Sequence, residues 1–419
     1  MPRGGSRGCS EPAAGAVSGD AALLRQAAAR HAAGALDEAE ALYTRLLARS
    51  PRDANALNLL GTLHRQRGDL PRAIGLIRRA VALRPEAPVF LASLGGALAE
   101  AGQLEPAVAA LRAALARRPD DAVALRNLGQ ALCGLGQARA ALAPLRQAVA
   151  LAPEAAETKL ALAHACREAG ALPEAIRMAE AALAHHDPDV AGQARFLLAA
   201  LGRAPAPERA PAAYVRDLFD QYAPRFAADL TGRLGYRTPA ALAALLRDSG
   251  LAPAPVEGAL DLGCGTGLSG LALAPFARRL EGLDLSPRML AEAARQGCYA
   301  ALHEADLLDF LPRHPAAWDL IAAADVLNYL GDLGPALAAL RAALRPGGLA
   351  LFSVELAEGE AGGEGPYALG PGLRYRHALP ALRATCAAAG LAGVAERRDV
   401  LRQEQGAPVD GVLMLLRRA

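Results

Sequence analysis

The sequence is poor in aromatic residues and in lysine, and its net charge is close to zero. Aromatic residues make up 4% of the 419 residues, and all but one of the 45 basic residues are arginine, the exception being Lys159. Buried cores must therefore consist mainly of alanine, leucine and valine, which favours closely packed helices. Because the formal net charge is only +2, we expect no nucleic-acid partner. The arginine and alanine bias is typical of a GC-rich bacterial genome.

The sequence also lacks a long apolar run and a cysteine pair of the CxxC type. Since no run of about 18 apolar residues occurs, we expect no membrane span, and the first residues lack the apolar core of a signal peptide. The cysteines are too widely separated to predict a zinc site, and free thiols suit a reducing compartment. We therefore expect a cytoplasmic protein without a metal cofactor. The cysteines are Cys9, Cys133, Cys166, Cys264, Cys298 and Cys386.

Small residues and prolines recur every 34 residues through the first half of the chain. Small residues in the middle of a first helix allow a second helix to cross closely, and a glycine that ends the first helix adopts positive φ at little cost. Alanines form the matching surface of the second helix, and prolines end it. The series are Ala27, Gly61, Gly95, Gly129 and Ala163; Gly34, Gly68, Gly102, Gly136 and Gly170; Ala39, Ala73, Ala107, Ala141 and Ala175; and Pro51, Pro85, Pro119 and Pro153.

This pattern resembles the tetratricopeptide repeat, a helix-turn-helix unit of the same length. Residues 20–202 are then expected to form an α-solenoid of five hairpins with a capping helix, preceded by a disordered segment at residues 1–19. The resemblance implies a concave groove that binds a peptide or a protein partner. No dense series of asparagine or basic residues runs through all five units, so the sequence does not identify that partner.

A proline- and alanine-rich stretch at residues 203–211 predicts a short, stiff linker to a second domain at residues 212–419. After two helices, this second domain alternates short apolar strands with helices. Such alternation predicts an α/β fold with a mostly parallel sheet and helices on both faces. Two strands at the end of the chain are joined by a short polar connection, which predicts an antiparallel hairpin near one edge of the sheet.

Glycines and carboxylates occupy the positions where the strands of this domain end. Glycines after the first strand allow backbone to approach a ligand, and the helix that follows adds free N–H groups. A carboxylate at the end of the second strand can accept hydrogen bonds from both hydroxyls of a ribose. The positions are Asp261, Gly263, Gly265 and Gly267 at the first strand, Asp284 and Leu285 at the second, Asp306 and Leu307 at the third, and Asp325 at the fourth.

These segments resemble, in order and spacing, the motifs of class I S-adenosylmethionine-dependent methyltransferases. The segments are DLGCGTG, GLDLSPRML, EADLLDFL, WDLIAAADVLNYLGDL and LRPGGLALFSVE. The resemblance implies a Rossmann-like, seven-stranded domain with S-adenosylmethionine as cofactor, and the whole chain resembles bacterial methyltransferases that carry tetratricopeptide repeats. The resemblance implies that Gly263, Gly265 and Gly267 contact the methionine part of the cofactor and that Asp261 binds its amino group. It implies that Asp284 binds the ribose and that Asp306 and Leu307 contact the adenine. Leu285 and Asp325 are expected to line the same crevice.

Two other interpretations remain open. Gly265, Gly267 and Gly270 also match the GxGxxG dinucleotide fingerprint, which would indicate an NAD-linked oxidoreductase. Asp261 favours the methyltransferase, because a carboxylate there would face the pyrophosphate of a dinucleotide but suits the ammonium group of S-adenosylmethionine. The third interpretation is an interaction scaffold whose α/β domain binds the cofactor without catalysis.

Methyl transfer from a sulfonium needs orientation and desolvation, and it needs a general base only if the acceptor must lose a proton early. The sequence therefore carries no obligatory catalytic signature. Tyr222 and His377 are the candidates for a catalytic group, and Tyr329 is a candidate for the acceptor pocket. The NPPY-type motif of amide methyltransferases is absent, since LNYL follows Asp325. The acceptor remains unidentified, and both a small molecule and a protein recruited by the repeats are compatible with the sequence.

Overall fold

The computed structural model describes residues 14–228, 236–357, 365–404 and 407–419. The chain divides into two compact units, residues 1–169 and residues 170–419. Of the segment 1–19 for which the sequence predicts disorder, residues 1–13 lie outside the described ranges, and a helix begins at Ala14. Within those ranges, no helix combines the length and the apolar character that a membrane crossing requires.

The described part of the first unit is entirely helical, and its helices pack as successive hairpins. This arrangement confirms the predicted solenoid of helical hairpins. The helices are α1 (Ala14–Ala32), α2 (Leu36–Arg49), α3 (Ala54–Gln66), α4 (Leu70–Leu83), α5 (Pro88–Glu100), α6 (Leu104–Leu115), α7 (Ala122–Gly134), α8 (Ala138–Leu151) and α9 (Ala156–Glu168).

The glycine series have the two structural roles that their spacing predicts. Gly34, Gly68, Gly102 and Gly136 follow their helices with φ between 72° and 78°, where a side chain would strain the backbone. The mid-helix series allows two helices to touch. A Cβ atom added at Gly61, Gly95 or Gly129 would stand 2.6, 2.5 or 2.3 Å from the side chain of Ile77, Leu111 or Leu145, respectively. The three aliphatic partners are themselves 34 residues apart in the sequence.

Replacing Gly95 with alanine is expected to destabilise the first unit. The added methyl group would overlap the buried Leu111, and overpacking costs about 1–3 kcal/mol, more than the roughly 1 kcal/mol that alanine contributes to helix stability. Gly75 provides the control, because it lies in α4 with nothing within 4 Å of an added Cβ. Gly75→Ala should stabilise the protein. Urea unfolding followed by circular dichroism measures both variants, and stabilisation by Gly95→Ala would contradict the close helix crossing.

The second unit combines helices with a mixed sheet. Its helices are α10 (Leu172–Leu183), α11 (Pro188–Ala200), α12 (Ala212–Ala228), α13 (Thr238–Asp248), α14 (Leu268–Leu273), α15 (Pro287–Ala294), α16 (Leu307–Phe310), α17 (Gly334–Ala343) and α18 (Leu379–Ala388). Its strands are β1 (Val256–Leu262), β2 (Ala277–Asp284), β3 (Ala301–Glu304), β4 (Trp318–Ala323), β5 (Leu344–Leu356), β6 (Tyr367–Leu369), β7 (Tyr375–His377), β8 (Leu391–Glu404) and β9 (Ala407–Arg418).

Seven of these strands form the expected sheet in the order β3-β2-β1-β4-β5-β9-β8. The first five are parallel, and β9 pairs antiparallel with both β5 and β8, as the sequence predicts for the final hairpin. The short ribbon of β6 and β7 is not predicted from the sequence. Beyond the end of β4, β7 pairs with Glu355 and Leu356 of β5, so the ribbon extends the sheet at its carboxyl edge.

Both faces of the sheet are covered by helices. Ile321 and Phe352 pack on one face with residues of α17 and α18. The preceding residue in each strand, Leu320 or Leu351, points to the opposite face and packs with α13. Successive side chains of a strand point to opposite faces of the sheet, and both faces are buried here. Neighbouring residues of a strand are therefore both apolar, which explains the nearly continuous apolar strands.

Helices α10 and α11 belong to the compact unit that contains the sheet, although the sequence analysis assigned them to the repeats. The ring of Phe196 in α11 lies 5.2 Å from that of Tyr214 in α12 and 6.2 Å from that of Tyr375 in β7. Gln193 donates a hydrogen bond of 3.1 Å to Asp217 of α12. These contacts join aromatic residues that are distant in the sequence. The 34-residue spacing of the repeats therefore gives no indication of them.

Candidate active site

The carboxyl ends of the parallel strands surround a cavity of about 380 Å³. The strand order reverses between β1 and β4, and ligands bind at such a switch point in open α/β sheets. Helix α12 covers the cavity with an aromatic wall. The residues that line the cavity include Arg209, Phe219, Tyr222, Phe226, Tyr236, Gly263, Gly265, Asp284, Leu285, Asp306, Leu307, Asp325, Tyr329, Arg374, Arg402 and Glu404.

The glycine loop after β1 lies beside this cavity. Gly263, Gly265 and Gly267 have φ values of 58°, 53° and 91°, a region that favours glycine. Gly263 and Gly265 line the cavity, whereas Gly267 precedes α14 and faces Gln296. A Cβ at Gly263 would stand 2.4 Å from Val326 Cγ2. The loop can therefore present backbone to a ligand only because these side chains are absent.

Asp284 ends β2 and holds the glycine loop. Its Oδ2 accepts a hydrogen bond of 2.9 Å from the N–H of Gly265, and its Oδ1 accepts one of 2.8 Å from the N–H of Ser286. Burial raises the pKa of Asp284 to about 6, against the opposing effect of these backbone donors. Each carboxylate oxygen can accept a further hydrogen bond, so Asp284 remains able to bind hydroxyl groups in the cavity.

Asp306 and Leu307 stand at the next strand end and also line the cavity. Asp306 caps α16 by accepting a hydrogen bond of 2.9 Å from the N–H of Leu308 at its Oδ1. Its Oδ2 accepts a hydrogen bond of 3.0 Å from Arg209, a residue that the sequence analysis did not select. Leu285, beside Asp284, lines the same side.

Asp261 lies outside the cavity lining. Its side chain is fully buried, and its Oδ2 accepts hydrogen bonds from Ser269 at 2.6 Å and Tyr299 at 2.7 Å, while its Oδ1 has no partner. Burial raises its pKa to about 7, although the two hydrogen bonds oppose the shift. The structure therefore offers no direct contact between Asp261 and a ligand in the cavity, and its expected role toward the cofactor amino group stays a prediction.

The ligand-free protein is expected to lose stability through Asp261 as the pH rises. Because its folded pKa of about 7 exceeds that of an unfolded aspartate, the folded state keeps a proton that the unfolded state has lost. The resulting stability is full below about pH 4 and falls by about 4 kcal/mol in all as the pH rises to about 7.5, where the folded carboxyl group has also ionised. Asp261→Asn should flatten this slope in urea unfolding followed by the fluorescence of Trp318, the single tryptophan. An unchanged slope would contradict the assignment.

Asp325 follows β4 and has a φ of 58°, a backbone conformation that residues other than glycine seldom adopt. Its Oδ1 accepts a hydrogen bond of 2.8 Å from the hydroxyl of Ser353, and its Oδ2 accepts one of 3.2 Å from Thr238. Burial raises its pKa, whereas Arg402 and Ser353 act in the opposite direction. This carboxyl group lines the same cavity as Gly263 and Gly265.

A cluster of charged residues forms the wall near β7 and β8, and the sequence analysis missed it. Arg402 donates hydrogen bonds to Glu355 at 2.6 Å and Glu404 at 3.1 Å. The side chains of Arg402 and Glu355 are only 5% and 4% exposed. Burial alone would raise the pKa of Glu404, but Arg374 and Arg402 lower it below its ordinary value. Arg374 donates a hydrogen bond of 3.3 Å to the hydroxyl of Tyr329.

The two candidate catalytic residues lie in different environments. Tyr222 lines the cavity from α12, where its ring lies 5.4 Å from that of Phe226. His377 is the last residue of β7, two positions before α18 begins, and it is buried outside the cavity lining. Its Nε2 is 3.1 Å from the carbonyl oxygen of Gly331, and burial lowers its pKa. Of these two candidates, only Tyr222 lines the cavity.

Comparison with known proteins finds family matches in both parts of the chain. A family model described as a methyltransferase domain matches residues 260–350, which span β1 to the middle of β5. Two models described as tetratricopeptide repeats match residues 24–88 and 64–132. These matches confirm the two resemblances that the sequence motifs indicate.

Curated relatives match over part of the second unit. The malonyl-[acyl-carrier protein] O-methyltransferase of Serratia marcescens is 38% identical over 99 residues, 24% of this chain and 38% of that protein. The trans-aconitate 2-methyltransferase of Pseudomonas aeruginosa is 38% identical over 131 residues, 28% of this chain and 46% of that protein. The chain thus spans less than half the length of these two relatives.

A solved structure that resembles this chain is the N-methyltransferase NodS from Bradyrhizobium japonicum in complex with S-adenosyl-L-homocysteine. It has 24% sequence identity and a TM-score of 0.34, and the match covers 43% of this chain and 86% of that one. Among the described side chains of the present protein, no group of three or more histidine, cysteine, aspartate or glutamate residues is arranged to hold a metal ion.

Proposed function

We propose that this chain, which joins tetratricopeptide repeats to a class I methyltransferase domain, transfers a methyl group from S-adenosylmethionine to an acceptor. The observation that carries the proposal is the convergence of two glycines and three strand-end carboxylates on one cavity. The fit to the cofactor rests on the loop with Gly263 and Gly265, where an added side chain would meet Val326 or Phe226. When bound, the sulfonium supplies an activated methyl group, so the protein contributes binding, orientation and the exclusion of water.

The cavity offers a separate group for each part of the cofactor. Gly263 and Gly265 would accept the methionine portion against backbone, and Asp284 would accept hydrogen bonds from the ribose hydroxyls. Asp306 would face the adenine amino group, and Leu307 its ring. These assignments are supported by the position of all five residues in the cavity lining.

The aromatic wall supports the chemistry at the sulfonium end. Phe219 makes edge-to-face contacts with Phe226 and Tyr329, at ring distances of 5.9 and 5.6 Å. Aromatic faces attract cations, and the same rings exclude water from the reacting centre. Asp325, Tyr236 and Arg374 stand on the remaining wall, where they would orient the polar part of an acceptor.

We propose that the acceptor is a small molecule or a protein-bound group, and that the repeats recruit a protein. The names of the curated relatives refer to a small acid and to an acyl group on a carrier protein, which makes both classes reasonable. Tetratricopeptide arrays bind proteins through extended surfaces. A partner recruited by the repeats would raise the local concentration of its own acceptor group.

Labelled-methyl transfer into a fractionated lysate of the source organism tests the activity. We expect the full chain to move label from S-adenosylmethionine into a discrete fraction and to form S-adenosylhomocysteine, whereas Asp284→Ala should not. The fraction that takes up label separates a small-molecule acceptor from a protein. Absence of S-adenosylhomocysteine formation, with intact cofactor binding, would instead support a non-catalytic scaffold.

A further inference from the structure

The segment at residues 203–211, hereafter the connector, is fixed to the sheet domain by backbone hydrogen bonds. The carbonyl oxygen of Glu208 accepts hydrogen bonds from the N–H groups of Gly331 at 2.7 Å and Asp332 at 3.0 Å, and the N–H of Ala210 donates to the carbonyl oxygen of Tyr329 at 2.8 Å. Arg209 stands opposite Leu330 in the same antiparallel bridge. The connector therefore pairs with the segment 329–332 of the sheet domain, although its proline-rich composition suggests only a spacer between domains.

Side-chain contacts hold the connector on both sides of this bridge. The hydroxyl of Tyr375 donates a hydrogen bond of 2.6 Å to the carbonyl oxygen of Pro207. The same tyrosine ring packs against Phe196 of α11, immediately before the connector in the chain. The backbone on which Arg209 is mounted is thus fixed by contacts with β7, α11 and the segment 329–332.

Arg209 extends from this fixed backbone to the adenosine end of the cavity. Its Nη1 lies 3.0 Å from Asp306 Oδ2, and its side chain is 43% exposed while that of Asp306 is 15% exposed. Arg209, Ala305, Asp306 and Leu307 all line the cavity. Since the N–H of Leu308 binds the other oxygen, the carboxylate of Asp306 is restrained at both of its oxygens.

We propose that Arg209 is a positioning residue for the cofactor, supplied by the connector rather than by the methyltransferase motifs. Arg209 fixes the Asp306 carboxylate in the orientation that accepts a hydrogen bond from the adenine amino group, and its guanidinium covers that end of the cavity. A carboxylate that is already oriented loses less side-chain entropy on binding. The inference rests on the proposed use of S-adenosylmethionine.

Calorimetric titration of the full chain with S-adenosylhomocysteine tests this inference. We expect Arg209→Ala to weaken binding about tenfold, and Arg209→Lys to weaken it less because the charge remains while the fork geometry is lost. Arg203→Ala is the control, because Arg203 is exposed in the same connector and does not line the cavity. Thermal unfolding of each ligand-free variant reports whether the fold is retained.

Selectivity for the base separates a positioning role from a general effect on folding. The analogue with hypoxanthine in place of adenine lacks the amino group, so the wild type should bind S-adenosylhomocysteine more tightly than S-inosylhomocysteine. Arg209→Ala should reduce this preference, and the effects of Arg209→Ala and Asp306→Ala should be non-additive in the double variant, since the two residues act as one unit.

The outcomes are distinct. If the wild type binds no S-adenosylhomocysteine, the proposed function itself fails. If the wild type binds and Arg209→Ala binds equally well or more tightly, Arg209 has no positioning role or competes with the ligand, and the inference is overturned. Weaker binding with an unchanged preference for adenine would also overturn it, because Arg209 would then act on the ligand without Asp306.

Discussion

Replacing Asp284 with alanine is expected to weaken the binding of S-adenosylmethionine by about a hundredfold or more. Two charge-assisted hydrogen bonds to the ribose would be lost, each contributing about 1.5–3 kcal/mol in a water-poor site. The variant also leaves the N–H groups of Gly265 and Ser286 without their present acceptor. The glycine loop would therefore be held less firmly in the conformation that accepts the methionine part.

Glu304→Ala provides the matched control for Asp284→Ala. Glu304 pairs with Asp284 across β2 and β3, but its side chain is exposed and does not line the cavity. Calorimetry should therefore give wild-type affinity for Glu304→Ala. Equal affinities for wild type and Asp284→Ala, with both proteins folded, would refute the assignment of the ribose site.

The second large effect is expected from Arg402→Ala, which should lower the stability of the second unit by about 3–5 kcal/mol. Glu355 is only 3% exposed and would lose its close ionic partner at 2.6 Å. Glu404 would lose the hydrogen bond that Arg402 donates. A buried carboxylate that loses its hydrogen-bonded partner is costly, and Arg374 and Arg376, at 3.8 and 3.9 Å from Glu355, compensate only in part. Urea unfolding followed by Trp318 fluorescence reports on this unit.

Arg383→Ala is the control for Arg402→Ala. Arg383 pairs with Glu396 at 2.7 and 2.8 Å, yet its side chain is 57% exposed, and exposed ion pairs contribute little. Its unfolding midpoint should stay close to that of the wild type. Replacing Arg402 and Glu355 together with leucine should recover part of the lost stability, since neither member of this pair is then left buried without the other. Equal midpoints for Arg402→Ala and the wild type would contradict the buried pair.

The repeats could be predicted from the sequence because their contacts are local and periodic. A glycine that ends one helix, such as Gly68, and a glycine that faces the next helix, such as Gly95, each recur with the repeat length. One helical hairpin is specified by neighbouring residues, so the spacing reveals both the turn and the crossing. The close approach of Gly95 to Leu111 joins positions only 16 residues apart.

The glycine loop and the strand-end acids could also be predicted, because each follows its own strand directly. Asp284 and Asp306 accept hydrogen bonds from N–H groups two residues later, a local arrangement that short acidic motifs favour. The sequence did not reveal that Asp261 lies outside the cavity lining. Its two partners, Ser269 in α14 and Tyr299 shortly before β3, lie 8 and 38 positions further along the chain, and only the packed fold brings them together.

The charged wall and the connector could not be predicted, because long-range pairing creates them. Arg402 lies beside Glu355 because β8 pairs with β9 and β9 pairs with β5. The two residues are far apart in the sequence, so no regular spacing of residues indicates their contact. Arg209 meets Asp306 across 97 positions of the chain. The proline-rich composition of residues 203–211 predicts a spacer, whereas its backbone groups bind the sheet domain.

The most direct test of the account is a calorimetric comparison of S-adenosylmethionine with NAD⁺ on the full wild-type chain. The convergence of the glycine loop with Asp284 and Asp306 predicts one-to-one binding of S-adenosylmethionine with a dissociation constant on the order of micromolar. S-adenosylhomocysteine should displace it, and NAD⁺ should not bind at comparable concentration. Binding of NAD⁺ in place of S-adenosylmethionine, or of neither ligand to the folded protein, would contradict the central claim.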